Sequence, residues 1–96
     1  MGTKNNPGEY DCYAKAEPDE PMFILLGRDP SAPLLVELWA RIRKEIGEDT
    51  EKRYEALQCA SDMTQWAEKL GKRDKIGKCY KVLIEIMTRA KENDGE

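Results

Sequence analysis

Residues 20–33 read Glu20-Pro21-Met22-Phe23-Ile24-Leu25-Leu26-Gly27-Arg28-Asp29-Pro30-Ser31-Ala32-Pro33. In this stretch an apolar run, residues 22–26, is followed by Gly27 and then by a loop bracketed by Pro30 and Pro33. Proline fixes its own φ and disfavours the helical region for the residue before it, so Pro30 and Pro33 are expected to hold Asp29 and Ala32 extended. The first turn of a helix tolerates Pro33 because an N–H at that position would have no partner. The stretch therefore predicts an extended segment, a stiff loop and the start of a helix.

Apolar residues recur at helical spacing in three stretches after this loop. We expect helices over about 33–46, 50–70 and 74–91, with Gly47 placed for a left-handed cap after the first and Gly71 ending the second. Small residues in the second helix, Ala56, Ala60 and Ala67, permit close approach of a neighbour. The apolar stripes are Leu35, Leu38, Trp39, Ile42 and Ile46; Ala56, Cys59, Ala60, Met63, Trp66, Ala67 and Leu70; and Ile76, Cys79, Tyr80, Leu83, Ile84, Met87 and Ala90. Both tryptophans are interpreted as core residues.

The remaining segments complete the predicted organisation. Residues 1–19 are polar and lack a hydrophobic period, which indicates a flexible arm. A helical domain follows over 20–91, and residues 92–96 are expected to fray. Within that domain, residues 21–27 are either a short buried strand or a strap laid over the helices. The fold class is therefore an all-α, three-helix domain preceded by a flexible arm and a short extended or β segment.

Composition restricts the classes of function. The chain has 96 residues, 36% of them charged, a net charge of −3 and no histidine. The absence of histidine excludes histidine-based triads and histidine-ligated zinc, although carboxylates, lysines, tyrosines and cysteines remain. The negative net charge disfavours binding to nucleic acid. No catalytic residue, metal site or cofactor is predicted.

Cysteine usage and hydropathy bear on location. Cys12, Cys59 and Cys79 match neither a disulfide framework nor a C-x-x-C metal pattern, which favours a reducing compartment. The longest apolar run, 22–26, is far shorter than the roughly 18 residues of a membrane span. We therefore expect a cytosolic protein without a membrane partner.

Two groups of residues form a candidate anion site. Arg28, Asp29 and Ser31 precede a helix whose free N–H groups and partial positive charge attract anions. Lys72 and Arg73 belong to a basic cluster between the second and third helices. The alternative is structural: Asp29 and Ser31 cap the helix, and the lysines are simply solvated charges.

Surplus apolar residues predict contact between subunits. Val82 and Ile86 widen the apolar face of the third helix beyond what a three-helix monomer needs. Tyr10 and Tyr13 are the aromatic exceptions in the polar arm, where they either dock on another subunit or belong to a disordered tail. We expect a homo-oligomer, because the packed part of the chain is near the size at which a monomeric core is marginal.

The chain resembles a small family of phage and prophage proteins. Its residues follow an E-P-x-F-x-L-x-G-x-D-x-x-A-P-x-x-V-x-x-W-A-like pattern at Glu20, Pro21, Phe23, Leu25, Gly27, Asp29, Ala32, Pro33, Val36, Trp39 and Ala40. Weaker similarity continues through Glu55, Ala56, Ala60, Met63 and Trp66. The resemblance implies a phage origin and an accessory role in the host cytoplasm, and brings no established catalytic residues.

Three functions follow as hypotheses. The first is a non-enzymatic phage accessory protein that counters a host process such as antiviral defence by sequestering a nucleotide-like signal. The second is a protein-interaction inhibitor of a host or phage protein, for instance a host defence protein, acting through the face around Val82 and Ile86 or through the arm. The third, a small nucleotide-processing enzyme, is disfavoured by the missing motifs.

Overall fold

A computed structural model describes residues 1–94 of the chain, with side chains through residue 90. Four helices follow in order, α1 (Cys12–Lys15), α2 (Ala32–Glu45), α3 (Glu51–Lys69) and α4 (Arg73–Asp94). They make up 61% of the chain. The all-α class is therefore confirmed.

The segment before α2 differs from part of the prediction. Within residues 1–94 no strand forms, so the β alternative for 21–27 is wrong in this structure. These residues run as irregular chain, and their last part lies against α3. α2 begins at Ala32, which therefore lies in the first helical turn and is not held extended by Pro33. The side chain of Pro33 is fully buried, so packing over this turn outweighs the local bias of the residue before proline.

The arm also holds more structure than its polarity suggests. Asp11 Oδ1 accepts a hydrogen bond from the Ala14 amide at 3.3 Å and caps the single turn of α1. Farther along, the Tyr10 amide donates to Glu55 Oε2 of α3 at 3.1 Å. The arm is thereby docked on the helical body in this structure, while its flexibility in solution stays a prediction.

The two glycine stops act as expected. Gly47 has φ +88° and Gly71 has φ +75°, both in the left-handed region that favours glycine. After each, the chain closes the helix end with backbone hydrogen bonds: the Glu48 amide donates to the Arg43 carbonyl at 2.8 Å, and the Lys72 amide donates to Ala67 at 3.0 Å. Of the predicted frayed tail over 92–96, the first three residues continue α4 to Asp94, and residues 95 and 96 lie outside the described residues.

The core is small and centred on α2 and α3. Its buried members are mostly alanines, so the two helices approach closely, as the small residues of α3 predict: Ala32, Pro33, Leu34, Ala40, Ala56, Ala60, Ala67 and Ile76. Arg53 of α3, a residue only 9% exposed, reaches α2 and donates from Nε to the Ala40 carbonyl at 2.8 Å. Buried backbone and guanidinium groups are thus satisfied together.

Several bulky residues predicted to be core lie at the surface instead. Ile42 of α2 is 51% exposed and Ile46, the residue after α2, is 62% exposed, while Trp66 of α3 is 58% exposed. The reason is geometric: helices that meet through alanines leave little room for large side chains, which are displaced to the flanks. None of the helices in the described part of the chain is long and apolar enough to cross a membrane.

Candidate functional site

A cavity of about 320 Å³ lies between α3 and residues 25–28, which lead into the proline-bracketed loop. The start of the arm also contributes to its lining. Its lining residues are Gly2, Thr3, Lys4, Leu25, Leu26, Gly27, Arg28, Cys59, Asp62, Met63 and Trp66. Three parts of the chain that are far apart in sequence therefore meet at one site.

The loop is fixed by its own hydrogen bonds. Asp29 Oδ1 accepts from the Ser31 amide at 2.9 Å and from the Ser31 hydroxyl at 2.7 Å. The Asp29 amide donates to the Leu26 carbonyl, and the Ala32 amide donates to the Asp29 carbonyl, each at 3.0 Å. These bonds form a hydrogen-bonded turn between Leu26 and Ala32, next to Arg28, which lines the cavity.

The same bonds determine the state of the Asp29 carboxyl. Hydrogen bonds from the Ser31 side chain and amide stabilise the carboxylate and lower the pKa of Asp29 below its ordinary value, with a smaller contribution from the positive charge of Lys72. Asp29 and Ser31 are thus brought together as structural partners. The amides of Ser31 and Ala32 are used inside the loop and Pro33 has none, so the start of α2 does not offer these groups to an anion.

The predicted cations fall into different positions. Arg28 lines the cavity with an exposed side chain. Lys72 Nζ donates to the Arg28 carbonyl oxygen at 2.7 Å and so attaches the loop to the α3–α4 turn. Arg73 begins α4 with an exposed side chain and does not line this cavity. Of this group, only Arg28 is among the residues that line the cavity, and Lys72 supports the loop that carries it.

Trp66 is the aromatic wall of the site. The loop passes close to its indole at Gly27: a Cβ there would lie 3.4 Å from Trp66 Cδ1. The backbone at Gly27 therefore lies next to the ring, at a distance where even a Cβ would make ordinary van der Waals contact with it. The rest of the indole remains uncovered, since the residue is 58% exposed. A flat exposed ring beside a cation is a surface on which a heteroaromatic ligand can stack.

Lys4 completes the charged rim, and its position rests on a tight turn. The Thr3 amide donates to the Asn6 carbonyl at 2.8 Å, while the Asn6 amide donates to Thr3 Oγ1 at 3.0 Å. This turn directs the arm across the end of the cavity. Sequence reasoning missed Lys4 because the arm has no pattern that indicates where it docks. It missed the exposure of Trp66 because the residue fits the apolar stripe of α3.

A carboxylate gives the cavity polarity. Asp62 of α3 lies on the wall and its Oδ1 accepts from Gln58 Nε2 at 3.1 Å. The site therefore has cations from the arm and loop, an indole face and one acceptor group on α3. Among the described residues, no cluster of three or more His, Cys, Asp or Glu side chains is placed to hold a metal ion.

The residues predicted for subunit contact are divided between two regions. Val82 and Ile86, 51% and 53% exposed, line an apolar groove between α2 and α4. Tyr10 is half-buried against α3 in its own chain, whereas Tyr13 is 72% exposed. The surplus apolar surface of α4 is thus present as predicted, and its use as an interface stays a prediction.

Comparison of the chain with protein-family models, curated proteins and solved structures finds no match. The resemblance to phage proteins stays a prediction.

Proposed function

We propose that this protein is a non-enzymatic phage accessory protein that acts in the host cytoplasm and sequesters a nucleotide-like signal. The ligand class is an anion that carries a heteroaromatic ring. Binding withholds the signal from its host receptor and leaves it chemically unchanged. The α2–α4 groove supports a homo-oligomeric form of the same protein.

The observation that carries this proposal is the combination of groups around one cavity. Arg28 and Lys4 supply positive charge, and Trp66 supplies an exposed indole face. Arginine binds phosphate through two parallel N–H donors, and stacking of a base on an aromatic ring contributes about 1–3 kcal/mol. The cavity volume of about 320 Å³ falls in the usual range for small-molecule sites, about 300–1,000 Å³.

The polarity of the cavity suggests the orientation of the ligand. Phosphate oxygens would lie towards Lys4 and Arg28, and the ring would stack on Trp66. The Asp62 carboxylate would then accept a hydrogen bond from an amino or imino group of the base, because a carboxylate next to a phosphate would be repulsive. A preformed loop reduces the entropy lost on binding, since the Asp29–Ser31 turn is already made in the free protein.

Isothermal titration calorimetry tests this proposal. We expect cyclic diguanylate or ADP-ribose to bind, and adenosine or inorganic phosphate alone to bind at least about tenfold more weakly, because each provides only half of the recognised chemistry. Arg28→Ala should weaken nucleotide binding about tenfold or more.

Arg41→Ala is the matched control for this titration. Arg41 is an exposed arginine of α2 whose Nε pairs with Glu45 Oε1 at 2.9 Å, away from the cavity. Its replacement should leave affinity unchanged. Absence of heat with every nucleotide, or equal losses in the Arg28 and Arg41 variants, would refute the proposal.

A second candidate function, inhibition of a host or phage protein by direct binding, is favoured by one further surface. Ile84 and Met87 of α4 are 63% and 55% exposed on a side of the helix different from the groove that Val82 and Ile86 line. A stoichiometric protein captured from infected cells by the wild type and lost with Met87→Glu would favour this function. Equal capture by both would count against it.

A further inference from the structure

An apolar groove runs between α2 and α4. It has a volume of about 320 Å³ and is lined by Ser31, Leu34, Leu35, Lys78, Cys79, Val82, Leu83 and Ile86. Apart from the serine and the lysine, every lining residue is apolar. Val82 and Ile86 on α4 and Leu35 on α2, which is 37% exposed, leave their side chains open to solvent along it. The groove is therefore an exposed apolar surface, of the kind that marks interaction sites.

A second apolar surface lies in the irregular segment that precedes the cavity-lining residues. Phe23 is 87% exposed, Ile24 is 61% exposed and Met22 is 53% exposed. Three consecutive large apolar side chains in water are unusual for a folded chain and mark an interaction site. Residues 22–24 belong to no helix or strand, and a short segment of this kind can enter a groove in an extended form whose successive side chains reach opposite walls.

The stretches of sequence next to the two surfaces carry opposite net charge. Residues 9–20, which lead into the segment, contain five carboxylates and one lysine. Residues 69–81, which include the start of the groove-forming part of α4, contain six cations and one carboxylate. Lys78 stands in the groove lining itself. Among the described side chains, no ion pair joins the acidic stretch to the basic one within the chain.

We propose that the segment Met22–Ile24 of one copy binds in the α2–α4 groove of a second copy. Phe23 and Ile24 supply the apolar centre of the contact, against Val82 and Ile86. The acidic stretch before the segment lies beside the lysines of α4 and forms the charged rim, the usual arrangement of an interface. The proposal rests on the proposed homo-oligomer and is independent of the ligand.

The contact is heterologous, since each copy gives a segment to one neighbour and a groove to another. Repetition of such a contact yields a closed ring when the rotation per copy closes, and an open fibre when it does not. An isologous contact, in which α4 meets α4 about a two-fold axis, uses the groove and leaves the segment free. The two arrangements can be separated by variants that disable one surface at a time.

Light scattering after size-exclusion chromatography provides the test. Wild-type protein should be an oligomer, whereas Ile24→Glu, which disables the segment, and Ile86→Glu, which disables the groove, should each be monomeric. Mixed in equal amounts, the two variants should form a dimer and stop there, because the mixture offers one intact segment and one intact groove per pair. Circular dichroism should show unchanged helix content in both.

Ile42→Glu is the matched control. Ile42 is 51% exposed on α2 and lines neither surface, so its replacement should leave the oligomer intact. A monomeric wild type would overturn the homo-oligomer itself. An oligomeric wild type with an oligomeric Ile24→Glu variant, or a mixture that remains monomeric, would overturn the segment-in-groove contact alone. Neither result bears on the calorimetric test of nucleotide binding.

Discussion

Tyr80 shows how a single hydrogen bond attaches α4 to the rest of the fold. Its hydroxyl donates to Glu37 Oε2 of α2 at 2.8 Å. Partial burial, followed by the hydrogen bond and the negative charge of Glu37, raises the pKa of Tyr80 to about 12 from the ordinary value of 10.0. The neutral phenol is therefore the form that the folded state prefers.

This shift predicts a pH dependence with a definite sign. Because the folded pKa is the higher one, the stabilisation is complete below pH 10 and is lost as pH rises towards about 12. Ultraviolet titration of tyrosinate should show a component near this upper value in the wild type. Tyr80→Phe should remove that component.

Glu37→Gln is the informative companion variant, since the amide oxygen still accepts the hydrogen bond but the charge is gone. We expect the Tyr80 component to move down only in part, because burial, the largest cause of the raised pKa, and the hydrogen bond are both retained. A component that does not move at all in the Glu37 variant would contradict the contribution of the Glu37 charge.

At the level of individual residues, local chemistry was predictable and long-range placement was not. Gly47 and Gly71 could be assigned as helix stops because a left-handed cap is a property of a few adjacent residues. Trp66 and Arg28 are 38 positions apart in the sequence, and nothing local indicates that the loop folds back on the end of α3. The contact between the two segments is seen at Gly27, whose backbone lies beside the Trp66 side chain.

At the level of the helices, two glycines with equal free space illustrate the role of backbone conformation. Gly77 lies inside α4, while Gly71 follows α3 with φ +75°, and an added Cβ would meet nothing within 4 Å at either position. Packing therefore does not distinguish them. Only the backbone dihedral angle does.

We expect the two alanine variants to change stability in opposite directions. Gly77→Ala should increase the free energy of unfolding by about 0.5–1 kcal/mol, the difference in helix propensity between the two residues. Gly71→Ala should lower it by about 1–2 kcal/mol, because an L-residue is strained in the left-handed region. Urea denaturation followed by circular dichroism measures both. A stabilising Gly71→Ala would contradict the assigned end of α3.

The presence and approximate ends of the helices could be predicted from hydrophobic periodicity. Which face of α2 is buried could not. The stripe of Leu35, Ile42 and Ile46 looks like a core face, yet α2 packs through Leu34 and Ala40. Arg53 helps to explain why this face of α2 is buried. Its guanidinium donates hydrogen bonds to the Ala40 carbonyl and to Asp49 Oδ1, the latter at 3.0 Å. These bonds constrain how α2 and α3 face each other. Hydrophobic periodicity contains no information about such a polar constraint.

At the level of the whole molecule, α4 is the loosely packed element. The radius of gyration is 15.0 Å, larger than the about 12.5 Å of a compact domain of this length. Within α4, Ile76 is buried, whereas four large apolar residues farther along the helix are exposed: Val82, Ile84, Ile86 and Met87. The monomer therefore keeps apolar surface available on α4, while the α2–α3 pair and the loop form the firmer part that holds the cavity.

The central claim is that the cavity between the loop and α3 receives the aromatic ring of an anionic ligand. The chain has two tryptophans, and their indole N–H signals in a nuclear magnetic resonance spectrum can be told apart with Trp39→Phe. Trp39 is a suitable internal reference, because its ring is already flanked by Arg43 and Lys52, at 5.3 and 5.9 Å from the centroid, elsewhere in the fold.

Titration of the wild type with ADP-ribose and with cyclic diguanylate, followed through these two signals, tests the claim most directly. The site as described predicts that the Trp66 signal shifts progressively to saturation with at least one of the two, while the Trp39 signal stays in place. A Trp66 signal that is unchanged by both ligands at millimolar concentration, or a shift confined to Trp39, would contradict it.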